Sequence, residues 1–201
     1  MQLVVIDYGL GNLASVGNAL KKLGIPFVVS SKPAELAAAT AIILPGVGAA
    51  GAGMQGLRER GLDEAILSAA KNSTPILGIC LGMQLLMRSS EEGHLECLGL
   101  IPGTVKKFNT SLKVPQMGWN QVDATANTKL LKDVTNNSYF YFVHSYYCAP
   151  DDTQIATGLT DYDGRFCSVY EESMIAGVQF HPEKSGDAGL QVLRNFWEAA
   201  C

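Results

Sequence analysis

Three residues of this chain have types and neighbours that ask for chemistry: Cys80, His181 and Glu183. Cys80 is the centre of Gly78-Ile79-Cys80-Leu81-Gly82, where the apolar run Pro75 to Ile79 gives way to a helical pattern from Leu81 to Met87. A G-x-nucleophile-x-G step at a strand-to-helix junction is a nucleophile elbow, a sharp turn that lifts the reactive atom clear of the sheet. Its small flanking residues let the strained backbone pass closely by its neighbours. The helix that follows aims its positive dipole end at the sulfur, a setting that suits a nucleophilic cysteine.

A cysteine nucleophile needs a base, and the base needs an orienting partner. The chain has three histidines, His94, His144 and His181. His181 lies in Gln179-Phe180-His181-Pro182-Glu183, directly after the apolar strand Met174 to Phe180. Residues two apart in an extended chain point the same way, so Glu183 can hold the His181 imidazole. Pro182 stiffens the backbone between them. His144, flanked by Val143 and Ser145 on an aromatic strand, reads as a satisfied core histidine. Tyr139, Tyr141 and Tyr147 read as one packed face of that strand.

The loop Pro45-Gly46-Val47-Gly48-Ala49-Ala50-Gly51 also follows a strand, and its small residues leave backbone N–H groups open to an oxyanion. It matches G-x-G-x-x-G formally. Gly9-Leu10-Gly11-Asn12-Leu13-Ala14 matches better, because it follows the first strand and opens the first helix. A dinucleotide site also wants an acidic residue after the second strand, where Ser30, Ser31 and Lys32 stand instead. No Walker A pattern occurs.

The elements that must position these groups alternate in the first half. Strands are expected at Leu3 to Ile6, Phe27 to Val29, Ala41 to Leu44 and Pro75 to Ile79. Helices are expected over Leu13 to Leu23, closed by Gly24, over Pro33 to Ala39 and over Leu57 to Ala70. That order implies βαβ units and a parallel sheet covered on both faces. The second half reads as strands at Leu100 to Phe108, Val114 to Val122, Tyr139 to Tyr147, Ile155 to Leu159, Arg165 to Tyr170 and Met174 to Phe180. A last helix starts near Gly186, with Ser185 as N-cap. The expected fold is one α/β domain over 1–201: a central, mostly parallel sheet flanked by helices, with a smaller antiparallel layer.

Bulk properties agree with that class. The 201 residues are 47% hydrophobic and 17% charged, with a net charge of −4 and no basic run to recommend nucleic acid. No apolar stretch approaches the roughly 18 residues of a membrane span. Met1 to Ile6 is too short for a signal h-region, so a cytoplasmic location is expected. Cys80, Cys97, Cys148, Cys167 and Cys201 form an odd set without C-x-x-C spacing. That argues against a disulfide framework or a zinc site, and only Cys80 has a reactive setting.

Together, Pro45-Gly46-Val47-Gly48, Gly78-Ile79-Cys80-Leu81-Gly82-Met83-Gln84 and His181-Pro182-Glu183 resemble the three signatures of class I (triad-type) glutamine amidotransferases. The opening Asp7-Tyr8-Gly9-Leu10-Gly11-Asn12-Leu13 and Pro115-Gln116-Met117-Gly118-Trp119-Asn120 are similar to the branch that supplies glutaminase subunits to imidazole glycerol phosphate synthases of histidine biosynthesis. The resemblance implies a Cys80 thioester, His181 as acid and base, and Glu183 as its orienter. It implies an oxyanion hole from the Leu81 N–H and one in Gly46-Val47-Gly48, a segment that in relatives rotates when the partner signals. Gln84 and Glu92 match positions that hold the α-amino and α-carboxylate groups of glutamine, and Ser145 and Tyr146 match backbone binders. The implied partner is a (β/α)8-barrel cyclase, docked near Asn12, Met117, Trp119, Tyr141 and Lys184; no cofactor or metal is implied.

Histidine is the expected residue where Gln116 stands, which points to a different partner-facing loop and a paralogue serving another pathway. Two further readings stand beside the glutaminase. One is a non-catalytic relative that only regulates a partner, separated by assaying glutamate release. The other is a nucleotide-binding oxidoreductase, separated by calorimetry with NAD or NADP.

Overall fold

The computed structural model describes residues 2–125 and 128–200. Its first half is a run of parallel strands: β1 (Leu3–Ile6), β2 (Phe27–Ser30), β3 (Ala41–Gly46) and β4 (Ile76–Cys80). Between them lie the helices α1 (Leu13–Lys22), α2 (Pro33–Ala37), α3 (Ala50–Arg58) and α4 (Leu62–Lys71), and α5 (Leu81–Leu85) follows β4 directly. Then come β5 (Met87–Ser90), β6 (Leu95–Glu96), β7 (Ile101–Lys107), β8 (Gln116–Ala124), β9 (Ser138–His144) and β10 (Tyr146–Pro150). The chain ends with β11 (Ala156–Asp161), β12 (Arg165–Glu172), β13 (Ile175–Val178) and α6 (Gly186–Ala200).

The strand order is β2-β1-β3-β4-β13-β12-β10-β7-β5-β6, with β11 joining β12 to β8, and β9 paired to β8. The stretch from β2 to β13 is parallel throughout, and most of the remaining ladders are antiparallel. The antiparallel strands extend one hydrogen-bonded sheet. Strands β1, β3 and β4 are buried on both faces, which is why they read as apolar runs without alternation. Leu3, Val5, Ile43 and Leu77 face the cluster containing Val16 and Leu20 of α1 and Val192, Leu193 and Phe196 of α6. Val4, Ile6, Ile42 and Leu44 face Leu36, Met54, Leu57, Leu62, Ile66 and Leu85 on α2 to α5. Each such fully buried aliphatic side chain is worth about 1.5–3 kcal/mol relative to exposure.

Several expected elements are corrected. The helix expected over Leu57 to Ala70 is two helices, because the chain turns at Gly61, whose φ of +64° is left-handed. The helix expected to run to Met87 stops at Leu85, and β5 begins at Met87. The single strand expected from Tyr139 to Tyr147 breaks at Ser145 into β9 and β10, which lie in different parts of the sheet. Tyr147 therefore packs on Phe108 and Phe166 rather than sharing a face with Tyr139 and Tyr141. The Ser185 carbonyl accepts the Gly189 N–H, as an N-cap's does, but its hydroxyl serves elsewhere: it donates to the His181 carbonyl at 2.6 Å and accepts from the Tyr141 N–H at 3.0 Å. Cys201 lies outside the described residues.

Candidate active site

Cys80 is the last residue of β4 and the N-cap of α5, with φ 54° and ψ −110°. That conformation lies outside the comfortable regions for an L-residue and stores about 1–3 kcal/mol of strain. The glycines around it have physical reasons. A Cβ on Gly82 would fall 1.8 Å from the Leu44 carbonyl oxygen, and one on Gly78 would fall 2.6 Å from the Met83 nitrogen. Across the β3–β4 ladder, Gly46 is the register partner of Cys80. The oxyanion loop thus begins beside the nucleophile, with Val47 exposed and Gly48 at a left-handed φ of +96°. Leu81, first residue of α5, has an N–H that no helical turn precedes.

His181 follows β13, the parallel neighbour of β4, so its backbone leaves the sheet at the same end as Cys80. Its Nδ1 meets Glu183 Oε1 at 2.9 Å, and both side chains are at most 2% exposed. The Nδ1 contact leaves Nε2 on the sulfur side, buried and without a hydrogen-bond partner among the described residues. Burial pushes the imidazole pKa down, but interactions with the Cys80 sulfur and the Glu183 carboxylate outweigh it and hold the pKa above the usual histidine value. The positive charge formed when His181 takes a proton is therefore supported. Asn12, expected at a partner interface, reaches inward, and its Nδ2 donates to Glu183 Oε1 at 3.2 Å. It does not cap its own helix, and the glycine loop that resembled a dinucleotide fingerprint delivers this amide to the triad.

A cavity of about 280 Å³ opens over the sulfur, lined by Val47, Gly48, Cys80, Leu81, Gln84, Glu92, Ser145, Tyr146 and His181 among others. It is the size range of a small polar metabolite rather than a dinucleotide. The structure brings all four expected substrate residues to its wall. Gln84 Nε2 donates both to the Tyr146 carbonyl and to Gln179 Oε1, each at 3.0 Å. With both N–H groups engaged, Gln84 has only its carbonyl oxygen to offer a ligand. Glu92 Oε2 accepts the Ala50 N–H at 2.7 Å, capping α3 in place of Ala49, whose side chain cannot.

Gln179 received no role from the sequence, yet its Nε2 lies 3.7 Å from Cys80 Sγ. The signal was present. Gln179, His181 and Glu183 are spaced by two, and the register pair Val178–Ile79 puts Gln179 beside Cys80 one step further on. Burial pushes the thiols of Cys97 to about 11 and Cys167 to about 12, and that of Cys148 upward too.

His144 is buried as expected, with Nδ1 on the Tyr146 carbonyl at 2.8 Å and Nε2 on the Gln116 amide at 2.9 Å. A carbonyl only accepts, so Nδ1 carries the proton and Nε2 is the acceptor. The Gln116 amide satisfies it by presenting its NH2; the opposite orientation would leave that NH2 buried without a partner among the described residues. Gln116 is 3% exposed and does not face a partner, which corrects the expectation. Alternation along β8 turns Gln116 inward and Met117 and Trp119 outward. Met117 is 64% exposed and Trp119 56%, with Trp119 edge-on to Tyr141 and Lys184 Nζ 5.8 Å above the Tyr141 ring.

A family model described as glutamine amidotransferase class-I matches residues 4–200. Imidazole glycerol phosphate synthase subunit HisH of Dehalococcoides mccartyi is 47% identical over 98% of this chain and 97% of its own length. The subunit of that name from Chlorobaculum tepidum is 49% identical over 96% and 98%. Among solved structures, a crystal structure of glutamine amidotransferase superposes with a TM-score of 0.79 at 18% identity, covering 98% of each chain. PurLQS from Thermotoga maritima gives 0.78 at 19% identity, over 100% of this chain and 99% of that one. These structures speak for the fold.

Proposed function

The chain belongs to the class-I glutamine amidotransferase family, and on that footing we propose that it is the glutaminase subunit of an imidazole glycerol phosphate synthase, releasing ammonia from L-glutamine through Cys80. The observation that carries the reaction is the strained Cys80 elbow facing a buried His181 that Glu183 holds by Nδ1. The pathway rests on the function named for relatives that match nearly end to end. Because Gln116 is buried against His144, its departure from the family pattern gives no support to a paralogue with an altered docking loop.

In the proposed reaction the Cys80 sulfur attacks the side-chain amide carbon of glutamine, and its proton passes to His181 Nε2. The amide oxygen becomes an oxyanion held by the Leu81 N–H and an N–H from Gly46-Val47-Gly48. Collapse breaks the C–N bond, the nitrogen leaves as ammonia with the proton from His181, and a glutamyl thioester remains. Water then attacks the thioester while His181 takes its proton. The C–S bond breaks, glutamate leaves and the proton returns to sulfur. Gln84 Oε1 and the Glu92 carboxylate are both acceptors and suit the substrate ammonium; backbone N–H groups near Ser145 and Tyr146 suit its α-carboxylate.

Free ammonia in neutral water is protonated and lost as a nucleophile, so the proposal includes a partner that receives it: a (β/α)8-barrel cyclase. Met117, Trp119, Tyr141 and Lys184 form the proposed docking surface, with Asn12 linking it to Glu183. A cytoplasmic location and a single amidotransferase domain over 1–201 are part of the same proposal. The test is glutamate release from glutamine by the wild type and by Cys80→Ala, alone and with the cyclase and its nucleotide ligand. Slow hydrolysis alone, acceleration with the partner and none in the variant are expected. Wild-type turnover by Cys80→Ala sinks the mechanism.

A further inference from the structure

We infer that Gln179 is a further catalytic residue, the hydrogen-bond donor that holds the Cys80 sulfur as negative charge develops on it. The inference rests on the reading of Cys80 as the nucleophile. Three observations fix which end of the Gln179 amide meets the sulfur. The Tyr146 carbonyl can only accept, so the Gln84 group bonded to it at 3.0 Å is the NH2. The same NH2 gives its second hydrogen to Gln179 at 3.0 Å, so the receiving atom is the Gln179 carbonyl oxygen. The remaining end of Gln179 is then an N–H donor, 3.7 Å from Cys80 Sγ. Gln179 is fully buried.

The orientation is anchored from behind. His144 Nδ1 holds the Tyr146 carbonyl at 2.8 Å, and the Gln179 backbone N–H is tied to the Ser168 carbonyl at 2.9 Å. The Val143 carbonyl also lies 3.9 Å from the sulfur, within reach of an S–H donor. When that proton passes to His181, Val143 loses its donor while the bond from Gln179 becomes charge-assisted and strengthens. The same bond assists when the sulfur leaves the thioester, because charge returns to it as the C–S bond breaks. Gln179 donates throughout and gives up no proton, so the atoms of the reaction balance without it.

The test is alkylation of Cys80 by iodoacetamide, a readout that needs no glutamine turnover and so stands apart from the proposed activity. The full chain is compared with Gln179→Met, which keeps the length but has no donor, and with Gln179→Glu, which keeps the shape and the bond from Gln84. Circular dichroism and thermal melting establish that each variant is folded, and Cys80→Ala sets the background. Losing a hydrogen bond to a charged group predicts alkylation about tenfold slower in Gln179→Met, equivalent to ~1.4 kcal/mol, and slower still in Gln179→Glu. Glutaminase kcat falls in parallel, with KM within about twofold, as loss of an interaction made at the reacting atom requires. Alkylation at the wild-type rate in either folded variant overturns the inference. So does a raised KM with alkylation unchanged, which would make Gln179 a wall of the pocket only.

Discussion

Asn12 donates its side-chain amide to Glu183 Oε1 at 3.2 Å, across 171 positions of sequence, and that oxygen also meets His181 Nδ1 at 2.9 Å. The loop between β1 and α1 is thereby wired to the triad. Among the described residues Glu183 Oε2 is buried without a partner, so the carboxylate is held through these two contacts. Removing one leaves a buried charge less well held, at a cost of about 1–3 kcal/mol. Asn12→Ala is expected to lower kcat roughly tenfold with little change in KM, and Asn12→Asp to lower it further by setting two carboxylates together. Steady-state kinetics with glutamine decide it; kcat unchanged in both variants would reduce the contact to a bystander.

Glu92 carries two tasks that a single substitution should expose. Its carboxylate caps α3 through the Ala50 N–H and faces the cavity where the substrate ammonium is proposed to sit. Glu92→Ala should cost about 1 kcal/mol of stability through the lost cap. It should also raise KM for glutamine, whereas Glu92→Gln, which keeps an acceptor, should recover most of the stability but not the KM. A thermal melt and a substrate titration separate the two. Equal KM in wild type and both variants would remove Glu92 from substrate binding.

Acid should find His144 before it finds the rest of the core. Burial pushes its pKa to about 4, partly opposed by the Tyr146 carbonyl, with the nearby His181 adding to the depression. The neutral imidazole is the folded form, so the unfolded chain binds more protons between the ordinary value near 6.5 and about 4. Stability from this site is complete above pH 6.5 and is lost as pH falls through that window, by up to ~3 kcal/mol. His181 has the opposite sign: its raised pKa contributes stability in acid that is lost as pH rises. Imidazole NMR should find His144 neutral and protonated on Nδ1 at pH 6. A His144 titration midpoint near 6.5 would contradict the buried network.

What the sequence made legible followed from short-range constraints. The elbow was readable because Gly78, Cys80 and Gly82 must stand at fixed offsets for the turn to exist. The pair His181 and Glu183 was readable because alternation along an extended chain is local. The break at Ser145 was not, since aromatic, β-prone residues stand on both sides of it, and only pairing with β8 on one side and β7 on the other separates the two halves. Gln116 was assigned to a partner-facing loop because it departs from the family pattern, while the pleat of β8 turns it inward and leaves Met117 outward. The internal duties of Asn12 and Gln84 depend on contacts across roughly a hundred residues or more, which no local pattern announces; for Gln179 the spacing to His181 was legible, but the register that sets it beside Cys80 was not.

The outward face of β8 and β9 gives the sharpest test of the proposed partner. Met117 and Trp119 project from β8, opposite Val143 and Tyr141 of β9, and Tyr139 stands exposed further along the same strand. Exposed aromatic and methionine side chains on one rigid strand pair are what the centre of a protein interface is built from. Lys184 lies over Tyr141, one residue from Glu183, so a partner seated here would sit beside the triad and its departing ammonia. Trp119 is the largest apolar group in the patch, 56% exposed and edge-on to Tyr141. Trp119→Ala should therefore leave the melting temperature close to wild type while weakening cyclase binding by about 2 kcal/mol, a ~30-fold rise in Kd. Lys184→Ala should act more weakly on affinity, because a rim charge chiefly affects association rate and salt dependence. Calorimetry with the purified cyclase measures both; an unchanged Kd in Trp119→Ala would move the docking surface elsewhere on the chain.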